Sequence, residues 1–237
     1  MALSMQLITP LVRGQLIRRY KRFLADVKLE SGETIIAHCP NTGAMTNCAE
    51  PGFTVYLSES ANPKRKLKYT WELAQNFDGH FIGINTHNAN KLVAEALNNK
   101  SLPLFNCVSH WKAEVTPPGA DSRFDFMLQE NSTIGYMEVK SVTLAQSGIG
   151  YFPDAKTSRG LKHCNELARL AKQGVSTKLL FCVQHTGIQE VRIAELIDPE
   201  YATAVSHARR QGVEICAVGC SITKEKIAVN QTLPLIT

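Results

Sequence analysis

At 237 residues, with 44% hydrophobic and 20% charged side chains, the chain has the make-up of a folded globular protein, long enough for one large domain or two modest ones, and not of a disordered segment. A net charge of +5 is mildly basic and by itself names no partner, so the local distribution of charge must carry that point. The seven cysteines (Cys39, Cys48, Cys107, Cys164, Cys182, Cys216 and Cys220) are scattered, odd in number and without a C-x-x-C pair, which favours buried thiols over metal ligands. No apolar run reaches membrane-spanning length, and MALSMQLITP lacks a charged n-region followed by an apolar core. These features predict a soluble, reduced, cytoplasmic protein with no membrane partner.

The first 82 residues hold strand-like runs and turns with little helical periodicity. Leu11–Ile17 leads into a basic cluster, after which Phe23, Ala25, Val27 and Leu29 keep the two-residue alternation of a strand. Ser31-Gly32 predicts a hairpin into Thr34–His38, and the loop His38-Cys39-Pro40-Asn41-Thr42-Gly43 follows. Further strands are predicted at Phe53–Leu57 and Leu67–Leu73. Short strands over this length predict a small five-stranded barrel of the OB type. His38 reads as a strand-end residue, because no second histidine is spaced to join it in binding a metal.

From residue 83 the pattern changes. Asn90 is placed to cap a helix with an apolar stripe of Leu92, Val93, Ala96 and Leu97. Trp111–Val115 reads as a strand, Pro117-Pro118-Gly119 breaks the chain, Arg123–Val142 forms a hairpin, and Gly148–Asp154 is a loop. A helix is predicted over residues 158–172, ended by Gly174, then an apolar strand at Lys178–Gln184. Asp198-Pro199 opens another helix, stopped by Gly212, and Val213–Ile222 and Lys226–Val229 finish as strands. The order α, β, β, β, α, β after an all-β start predicts an α+β chain of two domains, 1–82 and 83–237.

The hairpin holds the first candidate site. Phe124, Phe126 and Leu128 alternate with Arg123, Asp125 and Met127, so one face is expected to be buried; in the second strand Glu138 and Lys140 share a face. With the turn centred between Asn131 and Ser132, Asp125 falls opposite Glu138, about 4.5–5.5 Å apart at Cβ. Carboxylates that close repel unless something positive lies between them, and Mg²⁺ or Mn²⁺ suits hard oxygen ligands. Such a metal would lower the pKa of a bound water and stabilise charge on a phosphate, with Lys140 orienting the water or neutralising developing charge. The plain alternative is a solvated strand face with an alternating salt bridge. Asp125 followed on the adjacent strand by Glu138-x-Lys140 resembles the layout of the PD-(D/E)xK nucleases, although Phe124 stands in place of the proline that gives that motif its name. In that family the helix before the three strands often adds an acid, which the resemblance assigns to Glu95 as a further metal ligand. Lys91, one turn earlier, is an ordinary ion-pair partner for the same side chain.

Cations collect in three places. Arg13, Arg18, Arg19, Lys21 and Arg22, with Tyr20 and Phe23 between them, suit backbone phosphates and stacked bases. Lys64, Arg65 and Lys66, followed by Lys68, form a basic loop. Lys156, Arg159, Lys162 and His163 lie within two turns of a helix start, where the helix dipole disfavours cations and free N–H groups favour anions. The bland alternative for each is a solvated face. Asp154 is a helix cap, a metal-site acid or a partner for Arg159, and the sequence does not separate these.

Nearly the whole chain resembles the sugar fermentation stimulation protein A family. The resemblance rests on LVRGQLIRRYKRFLADV, on HCPNTGAM, on the RFDF and EVKSVTL pair, and on the long FPDAKTSRGLKHCNEL segment. It implies an OB-like DNA-binding domain ahead of a nuclease-like α/β domain, sequence-nonspecific DNA binding, and a regulatory role in the use of sugars such as maltose. Asp125, Glu138 and Lys140 match the nuclease pattern residue by residue. Two outcomes follow: a Mg²⁺- or Mn²⁺-dependent phosphodiesterase that binds DNA, or a DNA-binding regulator that keeps the nuclease fold only as a platform. A small-molecule enzyme of sugar metabolism has little support, since no Gly-rich phosphate loop or dinucleotide fingerprint is present.

Overall fold

A computed structural model describes residues 5–7 and 10–237; part of the N-terminal decapeptide considered above for targeting lies outside the described residues. The first described strand, β1 (Met5–Gln6), pairs antiparallel with β16 (Lys226–Leu233) near the other end of the chain. It therefore adds to the sheet of the second domain before the chain turns to the barrel, which the sequence did not predict.

Strands β2 (Val12–Tyr20), β3 (Leu24–Leu29), β4 (Thr34–His38), β5 (Thr54–Glu59) and β6 (Tyr69–Gln75) lie in the order β4-β3-β2-β5-β6. β4 returns to pair in parallel with β6 through Ala37–Tyr69 and His38–Thr70, which closes the five strands into the expected barrel. Closure of so few strands needs sharp bending, and register shifts at Leu16/Arg18 and Tyr56/Leu57 supply it. Leu16, Val27, Val55, Leu57 and Trp71, none more than 1% exposed, fill the interior. β7 (Phe81–Gly83) pairs with β6 and leads out of the barrel.

The second domain is built on a seven-stranded sheet ordered β1-β16-β15-β13-β10-β9-β8. β8 (Val108–Val115), β9 (Phe124–Glu130) and β10 (Thr133–Val142) form an antiparallel meander, while β13 (Ser176–Val183) and β15 (Glu214–Ile222) run parallel to β10. Parallel neighbours require crossovers, and these are α2 (Ser158–Lys172) and α3 (Pro199–Arg210). Both pack in one hydrophobic core against the sheet, and α1 (Asn88–Asn99) packs in the other.

The helix starts follow local chemistry. Thr157 caps α2, its hydroxyl accepting from Gly160 N–H at 3.1 Å, and Asp198 caps α3 by accepting from Tyr201 N–H at 3.0 Å, with Pro199 at the first helical position. α1 differs from expectation: it begins at Asn88, so Asn90 sits inside the first turn and is no cap, while the predicted stripe Leu92, Val93, Ala96 and Leu97 is buried. The segment predicted as a loop at Gly148–Asp154 contains β12 (Ile149–Phe152). With β11 (Leu144–Gln146), β14 (Glu190–Ile193) and β17 (Leu235–Ile236) it makes a four-stranded sheet. Strands of two to four residues carry too little alternation to be seen in sequence. Among the described residues no helix is long and apolar enough to cross a membrane.

Candidate active site

The hairpin register is the predicted one. Pairs run from Thr133–Glu130 to Met137–Phe126, and the next step puts Asp125 opposite Glu138. The backbone ladder ends there, because the Asp125 side chain takes over: Oδ2 accepts from Val139 N–H at 2.8 Å and Oδ1 from Asn90 Nδ2 at 2.6 Å. The strand also turns over at this point. Phe126 and Leu128 lie in the core with α1, whereas Phe124 lies in the core with α2, its ring centroid 5.8 Å from that of His163. The single buried face expected of these three residues is thus divided at Asp125.

Glu138 is 3% exposed. Its Oε1 accepts from Lys140 Nζ at 2.7 Å and from His163 Nδ1, while Oε2 is buried with no partner among the described residues. Burial is the largest single influence on this carboxyl and pushes its pKa up. The bonds and charges of His163 and Lys140 together outweigh burial and hold it below the usual range. Asp125 is pushed the other way, first by burial and then by the charge of Glu138, and its bonds to Val139 and Asn90 offset only part of this. The two neighbouring carboxyls therefore have unequal acidities, set by where their hydrogen-bond donors lie.

Not every predicted site residue joins this group. Glu95 is half-buried on α1, its Oε1 without a partner among the described residues, and its pKa is raised by burial against the influence of the Met5 backbone. It faces β1, five residues along the helix from Asn90, so the α1 side chain that reaches Asp125 is Asn90 and not Glu95. His163, expected among the phosphate-contacting cations, is 4% exposed and bonded to Glu138, so it belongs to the carboxylate group. Among the described residues no three His, Cys, Asp or Glu side chains converge to hold a metal unaided.

Both halves of the chain match family models: "SfsA N-terminal OB domain" over residues 17–84 and "Sugar fermentation stimulation protein RE domain" over residues 87–226. The chain belongs to the sugar fermentation stimulation protein family. A homologue of that name from Alteromonas mediterranea is 67% identical over 95% of this chain and 97% of its own length. One from Pseudoalteromonas atlantica is 54% identical over 98% and 100%. The solved structure of SfsA from Pyrococcus furiosus in complex with Ca²⁺ has a TM-score of 0.87 and covers all of both chains at 24% identity, so the two share a fold.

The remaining charged residues of this family member divide into held and free. Arg13 pairs with Glu30 at 2.7 Å, and Arg18 pairs with Asp26 at 2.7 Å while lying 5.0 Å from the centre of the Tyr20 ring. Arg19 is a fastener: it donates to the carbonyls of Arg22, Asn41, Gly43 and Ala44 and so pins the HCPNTGAM loop to the barrel. Arg65 donates to Thr70 Oγ1, Lys68 pairs with Glu59, and Lys162 reaches the Asp121 carbonyl at 3.4 Å. Lys21, Arg22, Lys64, Lys66, Lys156 and Arg159 are exposed and have no acidic partner among the described residues. Lys21 and Arg22 stand in a left-handed turn at φ 49° and 65°. Asp154 accepts from Met45 N–H at 3.3 Å and so ties the second domain to the pinned loop; the cap of α2 is Thr157 and not Asp154, and among the described residues no ion pair joins Asp154 to Arg159. Sequence reasoning missed Asn90 and His163 as partners of the carboxylates and Arg19 as a fastener, since each acts across a distance that no local pattern records.

Proposed function

We propose that this protein binds DNA through its phosphate backbone, without sequence preference, and hydrolyses phosphodiester bonds at Asp125, Glu138 and Lys140 with Mg²⁺ or Mn²⁺. The observation that carries the proposal is Glu138 Oε2, buried and without a partner among the described residues, opposite a second carboxylate whose own pKa is raised first by burial and then by the charge of Glu138. An orphaned buried oxygen costs about 1–3 kcal/mol or more for a charged group, and a metal ligand position is a reason to keep it. Asp125 has lone pairs to spare on both oxygens after its two hydrogen bonds, so both residues fit a hard, partly hydrated cation. When bound, such a cation supplies charge neutralisation and a more acidic water. Asp125 and Glu138 would hold it, and Lys140, 2.7 Å from Glu138, would keep a cation facing the phosphate or the attacking water. The Pyrococcus furiosus structure, solved in complex with Ca²⁺, is consistent with an oxygen-ligand site in this fold.

The free cations supply the phosphate contacts. Lys21 and Arg22 on the barrel and Lys156 and Arg159 at the start of α2 are joined by a short chain of contacts: Arg19 to the 41–44 loop, and Met45 to Asp154. That continuity favours one DNA path over both domains. A second outcome, a non-catalytic regulator that uses the nuclease-like domain as a platform, is favoured by the lack of a ready three-residue metal cage among the described residues and fits relatives named for stimulating sugar fermentation. Incubating supercoiled plasmid with the protein and Mg²⁺ or Mn²⁺, beside Asp125→Ala and Glu138→Ala, separates the two. Nicking by the wild type alone is expected; no nicking by any of the three supports the platform, and equal nicking by all refutes the site.

A further inference from the structure

The FPDAKTSRGLKHCNEL segment is the most distinctive in the chain, and phosphate contact through Lys156 and Arg159 uses only two of its residues. We infer that this segment positions the Glu138 carboxylate: His163 holds Oε1 so that Oε2 is left for the metal proposed above. His163 is a positioning residue, acting through Glu138, and the inference rests on the two-carboxylate metal site.

The chemistry of the contact is one-directional. An ionised carboxylate only accepts, so Nδ1 of His163 carries the hydrogen it shares with Oε1. Lys140 donates to that same oxygen, which concentrates both donors on one side of the carboxylate. A terminal carboxylate torsion is broad and two-fold, so the group needs a rigid partner to hold one orientation. Lys140 sits on a flexible four-carbon stem and is a weak restraint. The imidazole is stiff, buried against the edge of Phe124, and mounted on a helix.

The rest of the segment prevents that helix from sliding. Asp198 Oδ2 accepts from Thr157 N–H at 2.8 Å while Oδ1 of the same side chain caps α3, so one buried aspartate sets both helix starts. The Thr157 hydroxyl then caps α2 through Gly160. Gly160 has no room for a side chain: a Cβ there would lie 2.7 Å from Thr157 Cγ2 and 3.1 Å from Tyr201 Cε2. With both helices locked at their first turns, His163 arrives at a fixed height on the sheet, opposite Glu138.

The test is Mn²⁺ affinity of the full chain, read from the electron paramagnetic resonance signal of free Mn²⁺, with circular dichroism confirming that each variant is folded at the assay temperature. His163→Leu is expected to weaken Mn²⁺ binding by about 10- to 100-fold, the usual effect of removing a group that orients a metal ligand. His163→Asn, whose Nδ2 can donate from nearly the same place as Nδ1, is expected to restore most of that loss. A purely structural histidine would lower unfolding stability in both variants without changing affinity in the folded protein. If Asp125→Ala and Glu138→Ala lose Mn²⁺ but His163→Leu binds like the wild type, or if His163→Asn is as weak as His163→Leu, the positioning role is wrong and the metal site stands. If the wild type binds no Mn²⁺, both fall together.

Discussion

Asp125→Asn should make the metal-free protein more stable. At an effective dielectric of about 20, two unit charges about 5 Å apart repel by about 3 kcal/mol, and the counter-charge of Lys140 offsets part of this. The substitution keeps the contacts: the amide oxygen still accepts from Val139, and if Asn90 turns its own amide over, each side chain completes the other. A net gain of about 1–2 kcal/mol at pH 7 without metal is expected, small beside the full repulsion because of Lys140. The pH dependence has a definite sign. Because the folded state raises the Asp125 pKa, folded protein holds that proton to higher pH than unfolded chain does. The wild type therefore loses stability as pH climbs from the unfolded carboxyl value through the raised folded one, and levels off above it. The advantage of Asp125→Asn should be slight at low pH, grow through that window and then stay constant. Added Mg²⁺ at a hundred times its Kd would stabilise the wild type by about 2.7 kcal/mol and leave the variant unmoved, reversing the order. Urea unfolding in chelator, at several pH values, measures this directly. An Asp125→Asn protein less stable than the wild type at pH 7 in chelator, or an advantage independent of pH, would show that the two carboxylates do not repel across the hairpin.

Two further outcomes separate cations that hold the fold from cations that face a ligand. Arg19→Met releases four carbonyls from one guanidinium and should lower unfolding stability by about 1–3 kcal/mol, while the salt dependence of DNA binding stays as in the wild type. Urea unfolding and a fluorescence titration read the two quantities separately. Removing Lys156 and Arg159 together should do the opposite: unchanged stability, and a slope of log affinity against log salt that is shallower by about 1.8, or about 0.9 for each lost duplex phosphate contact. A slope that does not change places the DNA elsewhere.

The barrel and the order of the second domain were legible because both are written locally. Ser31-Gly32 places its glycine at φ 89° in the turn, Asp198-Pro199 opens α3, and Gly174 and Gly212 sit in the left-handed region past the ends of α2 and α3. The register of the hairpin was legible for the same reason: a turn position fixes every pair that follows from it. What failed was of a different kind. Phe124, Phe126 and Leu128 alternate without a break, yet the strand turns over between the first two, because Asp125 gives its side chain to the Val139 N–H and interrupts the ladder. Alternation assumes that the backbone makes every hydrogen bond, and a polar side chain that makes one itself is invisible to it.

Two of the candidate site residues lie elsewhere for the same reason, and this bears on what the site is. The family resemblance assigns Glu95 to the carboxylates, and the local run of cations puts His163 with the phosphate contacts; in the fold it is Asn90 that reaches Asp125, and His163 reaches Glu138. Each carboxylate thus has a neutral or ionisable nitrogen donor brought from a different helix, one on either side of the sheet. A sheet that merely buried two acids would gain by giving Glu138 Oε2 a donor as well, since a buried unmade bond to a charged group is costly. Instead, Lys140 and His163 both donate to Oε1, and among the described residues nothing donates to Oε2. Donors gathered on one oxygen while its twin is left bare fit the proposal that this carboxylate is held ready for a cation.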